Sequence, residues 1–176
     1  MLDLEPCPTS PSAPFPPTNP RWSSASSPSP RAWTNPANPS NTLTDPALIK
    51  YWQGWGRPTD IGVVAESAEL GYPVGCAWVR LFTGEEPGYG HVSDDIPELA
   101  FGVIKELRNR GIGTLLLERL LDDCRTRFPG VSLSVRQDNP AARLYEKLGV
   151  RQEGDAFTNR VGTSSLTMLL RFAQGI

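Results

Sequence analysis

The sequence predicts an α/β fold of the α+β type, with a mixed, mostly antiparallel central sheet and helices on both of its faces. Apolar stretches of strand period and of helical period succeed one another in the order β-β-β-α-β-α-β-β. Twelve of the 18 prolines fall in residues 1–46, which leaves residues 47–176 as the folding domain. A domain of about 130 residues holds one hydrophobic core.

Residues 1–46 are rich in proline and serine and are predicted to form a disordered tail. Such a segment buries too little apolar surface to offset the entropy lost on ordering. The Pro-x-x-Pro spacings between residues 8 and 20 allow a second interpretation, a ligand for a proline-binding partner. Proline this dense also produces that spacing by chance.

The first half of the domain reads as a short helix followed by three strands. Asp45-Pro46 is typical of a helix start and predicts a helix that reaches Trp52. The apolar runs 61–66 and 74–82 flank a turn and predict a hairpin. Residues 83–97 predict a loop because glycine and proline lie among acids. The apolar run 98–104 predicts a central strand.

The second half reads as two helices, each followed by strands. In 114–128 the apolar residues recur on one helical face, and Pro129-Gly130 ends that helix. Alternating residues in 131–136 predict a half-buried strand. Asn139-Pro140 starts a second helix, which Gly149 ends. Residues 150–157 and 165–172 are predicted to form the closing strands.

Composition excludes several classes of protein. The net charge of −2 offers no basic field for nucleic acid. No apolar run approaches the ~20 residues of a membrane span, and the acidic N-terminus is unlike a secretory signal. These features predict a cytoplasmic protein without nucleic-acid or membrane partners.

The few cysteines and the lone histidine argue against metal and nucleophile chemistry. Cys7, Cys76 and Cys124 are odd in number and widely spaced, which suits neither a disulfide framework nor a zinc site. With His91 as the only histidine, we expect neither a metal site nor a Ser-His-Asp triad.

The turn Arg108-Asn-Arg-Gly-Ile-Gly-Thr is the most informative segment of the sequence. It joins a strand to the longest helix, whose first amides lack internal partners and carry the positive end of the dipole. Its glycines remove side chains that would keep an anion away. The turn therefore predicts a pyrophosphate site. An ordinary strand-to-helix turn is the alternative, and neither the Walker pattern nor the dinucleotide fingerprint is present.

These residues resemble the GNAT superfamily of N-acetyltransferases. Arg108-Asn-Arg-Gly-Ile-Gly fits the acyl-CoA loop Arg/Gln-x-x-Gly-x-Gly/Ala of that family, and Val103 fits its preceding valine. Asn139 and the run Leu144-Tyr-Glu-Lys-Leu-Gly fit its second motif, with Val150 where phenylalanine is commoner. The resemblance covers about residues 60–176 and rests on two motifs in the right order.

The resemblance implies how acetyl-CoA, the co-substrate, would be bound. The loop amides would hold the pyrophosphate, with help from Arg108 and Arg110. Backbone groups near Phe101 and Val103 would pair with the pantetheine arm. Asn139 would contact that arm, or cap its helix, or both. The loop amides belong to Gly111, Ile112, Gly113 and Thr114.

The resemblance also implies which groups move protons. Tyr145 would protonate the departing thiolate, and its alternative role is that of a core aromatic residue. Glu98 would accept the proton of the amine, and its alternative is a solvated acid at the start of a strand. Asp94, Asp95 and His91 are weaker candidates, which could instead attract a cationic substrate. A covalent acyl-cysteine has little support.

The leading hypothesis is an acetyl-CoA-dependent N-acetyltransferase that acts on a primary amine of a small molecule or peptide, by direct attack in a ternary complex. The alternative is a catalytically weak CoA-binding or regulatory module. In the family a strand and two helices precede the hairpin. Here the first strand and helix are expected to be atypical or missing, because they would fall in residues 1–46. The last strand allows a homodimer.

Overall fold

The computed structural model describes residues 2–6, 46–158 and 162–173. These residues include three α-helices: α1 (Pro46–Ile49), α2 (Ile112–Arg125) and α3 (Ala141–Lys147). They also include eight strands: β1 (Leu2–Pro6), β2 (Ile61–Ser67), β3 (Tyr72–Arg80), β4 (Glu98–Val103), β5 (Gly130–Arg136), β6 (Arg151–Gln152), β7 (Phe157–Thr158) and β8 (Ser164–Arg171).

The strands follow one another in the sheet in the order β1-β2-β3-β4-β5-β8-β6, and β7 also pairs with β8. The pairs β1–β2, β5–β8, β6–β8 and β7–β8 are antiparallel, whereas β4 and β5 are parallel. The prediction of a mixed, mostly antiparallel sheet is therefore confirmed. Among the residues described, no helix is long and apolar enough to cross a membrane.

The chain divides into two compact units. The first consists of Met1–Trp78 and Phe101–Leu117, and the second of Val79–Ala100 and Glu118–Ile176.

In the first unit, the start of α2 packs closely on β3 and the end of β4. A Cβ atom on Gly75 would lie 2.8 Å from Leu116 Cδ1 and 3.3 Å from Val103 Cγ2, so a side chain there would require the Leu116 side chain to move. The Ile104 N–H donates to the Val74 carbonyl at 3.0 Å and ties the chain to β3 just beyond β4. The turn after β4 is thus anchored on both sides.

An aromatic cluster and a capped turn stabilise the segment between α1 and β2 in the same unit. Trp78 Nε1 donates to the Tyr51 carbonyl at 3.0 Å. Asp60 is buried, and its Oδ2 accepts the N–H groups of Gly56 at 3.0 Å and Arg57 at 3.1 Å. The cluster consists of Trp52, Trp55, Val64, Cys76 and Trp78.

Strand β1 shows that a first strand is present, where the sequence predicted one that is atypical or missing. It pairs antiparallel with β2, from Leu2 opposite Ser67 to Pro6 opposite Val63. Five extended residues suffice because the partner strand supplies the hydrogen bonds. Residues 7–45 lie outside the described part of the chain, so the tail proposed there stays a prediction.

The second unit is centred on β5, which pairs with β8 from Gly130 opposite Arg171 to Arg136 opposite Ser165. The rear half of α2 buries Leu120, Leu121 and Cys124, as its apolar spacing predicts. Several boundaries differ from the sequence prediction. Helix α1 ends at Ile49 and does not reach Trp52. Helix α2 begins at residue 112 and ends at residue 125, and the strand predicted over 150–157 is two short strands. Gly154 separates them with φ of 71°, a left-handed turn that breaks the ladder.

Candidate functional site

The glycine turn of the first unit forms a concave backbone surface at the start of α2. Asn109 and Gly111 have φ of 61° and 83°, so left-handed residues precede the helix and turn successive N–H groups to one side. A Cβ atom on Gly111 would meet no atom within 4 Å, so its backbone conformation, not crowding, requires glycine there. This geometry is typical of anion-binding loops.

The helix that follows presents its first amides to the same turn. The Leu115 N–H donates to the Gly111 carbonyl at 3.1 Å as the first helical bond. The amides of Ile112, Gly113 and Thr114 therefore precede the helical ladder and have no acceptor one turn back. The first turn of α2 contains no acid, so nothing in it opposes a bound anion.

Arg108 does more than add charge at the rim of this turn. Its Nε donates to the carbonyl oxygen of Val103 at 3.0 Å, which ties the loop to the end of β4. Arg110 is exposed. Phe101 is half-buried and Val103 buried, and the Val103 oxygen has one lone pair left for the pairing that the sequence predicts.

The other predicted residues belong to the second unit. Glu98 begins β4 and pairs with Ser132 of β5, whose N–H donates to Pro97 O at 3.0 Å. Its side chain is only 4% exposed, so the alternative of a solvated acid is wrong. The loop of residues 83–97 covers it: Gly88 approaches Oε2 so closely that no side chain fits between them, and Phe82 borders the same position.

Asn139 precedes α3, and Tyr145 lies within it. Asn139 Oδ1 accepts the Ala141 N–H at 2.9 Å, a capping contact just before α3, and its contact with the CoA arm stays a prediction. Tyr145 is 7% exposed and is the buried residue of α3. Burial raises the pKa of Tyr145 above its ordinary value, so the phenol stays protonated well into the alkaline range.

The weaker candidates stabilise their own loop. His91 Nε2 lies 3.0 Å from Asp94 Oδ1, which also accepts the Gly84 N–H at 2.9 Å. Asp95 accepts a short hydrogen bond from the Ser93 hydroxyl. These contacts explain the positions of His91, Asp94 and Asp95 without a bound substrate.

The two cysteines that the structure describes are poorly suited to covalent catalysis. Cys76 and Cys124 are buried and form no disulfide, and Cys7 lies outside the described residues. Burial raises the pKa of Cys124 to about 12, so little of the nucleophilic thiolate forms near neutral pH. Within residues 2–6, 46–158 and 162–173, no three His, Cys, Asp or Glu side chains form a metal-binding group.

Two polar residues of the second unit that are fully buried were not identified by the sequence analysis. Arg80 ends β3 and is 0% exposed, and Ser132 is also fully buried. In the described part of the chain the Ser132 hydroxyl has no hydrogen-bond partner. The available signal for Arg80 was a single charge inside the apolar run 74–82, but a charge at a strand end is usually solvated. Ser132 lies at an alternating position that looks solvent-facing.

Comparison with solved structures identifies the fold. A putative GNAT-family acetyltransferase of Bordetella pertussis is 23% identical to this chain, with a TM-score of 0.57. The match covers 69% of this chain and 72% of that protein. The ribosomal-protein-S18-alanine N-acetyltransferase of Escherichia coli is 22% identical with a TM-score of 0.52, over 68% and 73%. A putative acetyltransferase of Salmonella typhimurium, solved with acetyl-CoA, is 20% identical with a TM-score of 0.55, over 66% of each chain.

Sequence comparison identifies the family. No curated protein sequence matches the chain significantly. The profile described as the Acetyltransferase (GNAT) family matches residues 27–150, which include the glycine turn and α3. With more than half of the sequence matched and the sheet and glycine turn in place, this chain belongs to the GNAT acetyltransferase family.

Proposed function

We propose that the protein is an acetyl-CoA-dependent N-acetyltransferase, which transfers an acetyl group to a primary amine by direct attack in a ternary complex. The glycine turn with the start of α2 is the observation that carries this proposal. Its amides and two arginines suit the pyrophosphate of CoA. The structures of two similar proteins, from Salmonella typhimurium and Sinorhizobium meliloti, are described with acetyl-CoA.

The transfer requires an unprotonated amine, because an ammonium nitrogen has no lone pair. In this proposal Glu98 accepts the proton that the amine loses. The nitrogen then attacks the thioester carbonyl, a C–N bond forms, and the C–S bond breaks as CoA leaves as the thiolate. The nitrogen loses its second proton to solvent as the amide forms. Backbone N–H groups near Phe101 and Val103 would stabilise the oxyanion that develops on the carbonyl.

Tyr145 assists the departure of the thiolate in this proposal. Its raised pKa keeps the hydroxyl protonated and available to donate. The same raised pKa makes complete proton transfer to a thiol of ordinary pKa unfavourable. We therefore assign Tyr145 mainly the donation of a hydrogen bond to the leaving sulfur, with the proton finally supplied by solvent.

We propose a small molecule or peptide with a primary amine as the acceptor. The names of similar proteins span this class, with a ribosomal-protein-alanine N-acetyltransferase from Brucella melitensis and a spermidine N-acetyltransferase chimera among them. Both names specify an amine nitrogen as the acceptor atom. The covered position of Glu98 favours a slender aliphatic amine over a bulky one.

One observation favours the second candidate, a CoA-binding module with little turnover. Glu98 and Tyr145 are both more than nine-tenths buried, so the groups assigned to proton movement have restricted access. This candidate shares the CoA site with the first and differs only in turnover. Measuring binding and turnover on the same sample separates them.

The test combines a thermal-shift titration with a turnover assay on the full chain. Acetyl-CoA at about 100 times its Kd should stabilise the fold by ~2.7 kcal/mol and raise Tm by several degrees, whereas adenosine should not. Thiol release with small amines and with short peptides then reports turnover. A shift with amine-dependent release supports the enzyme, and a shift without release supports the module. No shift in a cooperatively melting sample contradicts both.

A further inference from the structure

Two buried charges of opposite sign lie on neighbouring strands of the second unit. Arg80, the last residue of β3, is 0% exposed, and Glu98, the first residue of β4, is 4% exposed. A guanidinium or carboxylate removed from water is tolerated in a protein when an opposite charge and hydrogen bonds compensate it. Each residue therefore requires a specific partner.

The register of β3 and β4 places these two residues opposite each other. The Ile104 N–H donates to the Val74 carbonyl at 3.0 Å, and a Cβ on Gly75 would contact Val103 Cγ2. Val74 is thus opposite Ile104, and Gly75 is opposite Val103, which is an antiparallel register. One step forward along β3 matches one step back along β4. Continuing this count brings Arg80 opposite Glu98, where β3 ends and β4 begins.

Directly opposed residues project from the same face of a sheet, within reach of long side chains. Among the described residues of the second unit, Glu98 is the only buried carboxylate. The other buried acid of the described chain, Asp60, belongs to the first unit and accepts two backbone N–H groups there. Among the buried carboxylates of the described chain, Glu98 is therefore the one placed to compensate Arg80.

The neighbours of Glu98 that the described residues identify on β5 and in the covering loop are uncharged. On the β5 side its neighbour is Ser132, a neutral hydroxyl. Gly88 of the covering loop approaches Glu98, and Phe82, which precedes that loop, borders the same position; both are uncharged. The charged residues of that loop are exposed acids or bound to each other: Glu85, Glu86, Asp94 and Asp95 are exposed, and His91 bonds to Asp94.

We propose that Arg80 is a positioning residue for the acetyl transfer: it pairs with Glu98 and keeps this carboxylate ionised and oriented to accept the proton of the amine. The proposal rests on the proposed function, because it assigns a support to the proton acceptor named there. A carboxylate buried alone takes up a proton, whereas one beside a guanidinium stays ionised. A hydrogen bond from the guanidinium would also restrict the rotamer of the carboxylate.

The first test is the pH profile of kcat/KM for acetylation of the best amine. Arg80→Met removes the charge and keeps most of the volume, so it should move the acidic limb upward by about one to three pH units. Arg80→Lys should return the limb most of the way toward the wild-type position. Val79→Ala is the matched control, because Val79 is equally buried on the opposite face of β3 and should leave the limb unmoved. An active Arg80→Met enzyme with an unmoved limb overturns the proposal.

The second test is a double-mutant cycle of urea unfolding, which needs no turnover. Arg80→Met and Glu98→Gln each leave one buried charge without its partner, so each should destabilise the chain strongly. The double variant should be destabilised by clearly less than the sum of the two. Additive effects overturn the pair whether or not an amine is acetylated. Failure of the proposed function would appear differently, as a wild-type chain that releases no thiol with any amine.

Discussion

The Nε atom of Arg108 lies 3.0 Å from the carbonyl oxygen of Val103 and joins the glycine turn to the last residue of β4. One side chain thus has two functions. Its bond fixes the path of the chain between strand and helix, and its charge lies next to the first amides of α2. Arg110, two residues on, is exposed and contributes charge alone.

The two arginines should therefore respond differently to truncation. Arg108→Ala should weaken acetyl-CoA binding more than Arg110→Ala does, because it removes both the charge and the bond to β4. It should also lower the free energy of unfolding by about 0.5–1.5 kcal/mol, whereas Arg110→Ala should leave it unchanged. Calorimetric titration and urea unfolding measure the two effects. Equal losses of affinity and stability in both variants would disagree with this assignment.

Gly111→Ala should damage binding beyond its cost in stability. Both Gly111 and Gly54 have positive φ, 83° and 63°, and a Cβ on either meets no atom within 4 Å. Alanine at either position should therefore cost about 1–2 kcal/mol of backbone strain. Only Gly111→Ala should also reduce acetyl-CoA affinity, by about tenfold or 1.4 kcal/mol, because the new methyl group lies in the anion-binding turn. If Gly54→Ala reduces affinity equally, the turn has no special role.

Tyr145→Phe separates a catalytic hydroxyl from a merely packed ring. The ring is preserved, so the fold and the KM for acetyl-CoA should change little. Loss of the hydrogen bond to the thiolate should lower kcat by about a hundredfold. Steady-state kinetics at saturating acetyl-CoA measures this, with Tm as the control for folding. Wild-type kcat in the variant would leave Tyr145 with a packing role alone.

Alkaline pH should destabilise the fold through Cys124. Its pKa is raised from 9.0 to about 12 in the folded chain by burial, with the neighbouring Asp123 as a smaller cause. Above pH 9 the unfolded chain therefore loses this proton while the folded chain keeps it. The contribution is fully present below pH 9 and is lost progressively as the pH approaches 12.

The check is urea unfolding at several pH values between 9 and 12, compared with Cys124→Ala. The variant starts less stable because of the small cavity, but its stability should fall less steeply with pH. Tyr145, whose pKa is also raised by burial, contributes a parallel loss in both proteins. Identical slopes would mean that the thiol titrates normally in the folded chain.

The parts of the fold that follow from local pattern could be predicted from sequence. The turn at 108–114 combines glycine positions with flanking charge, and Asn139 has the residue type of a helix cap. Both features could therefore be predicted without knowing any long-range contact. Strand β1 could not be predicted in this way. Its alternation of leucines and acids covers only five residues, and its partner lies in β2, far along the chain.

At the candidate site, the burial of polar residues also could not be predicted from local sequence. Nothing local distinguishes Arg80 from a solvated strand end, since its burial depends on the register of β3 with β4. The Glu98 carboxylate is covered by Gly88, and that close approach is a property of how the loop folds back. The motifs thus predicted which residues belong to the candidate site. The exposure of their side chains and their pairing across strands could be known only from the folded sheet.

The pairing of β1 with β2 also matters during synthesis. The chain is made from its N-terminus, so Leu2–Pro6 is available long before Ile61–Ser67 exists to pair with it. At ordinary translation rates the delay is roughly 3 to 12 seconds. An apolar strand exposed for that time would pair with neighbouring nascent chains. The two acids and the proline of Leu-Asp-Leu-Glu-Pro make this strand a poor template for such pairing until its own partner is made.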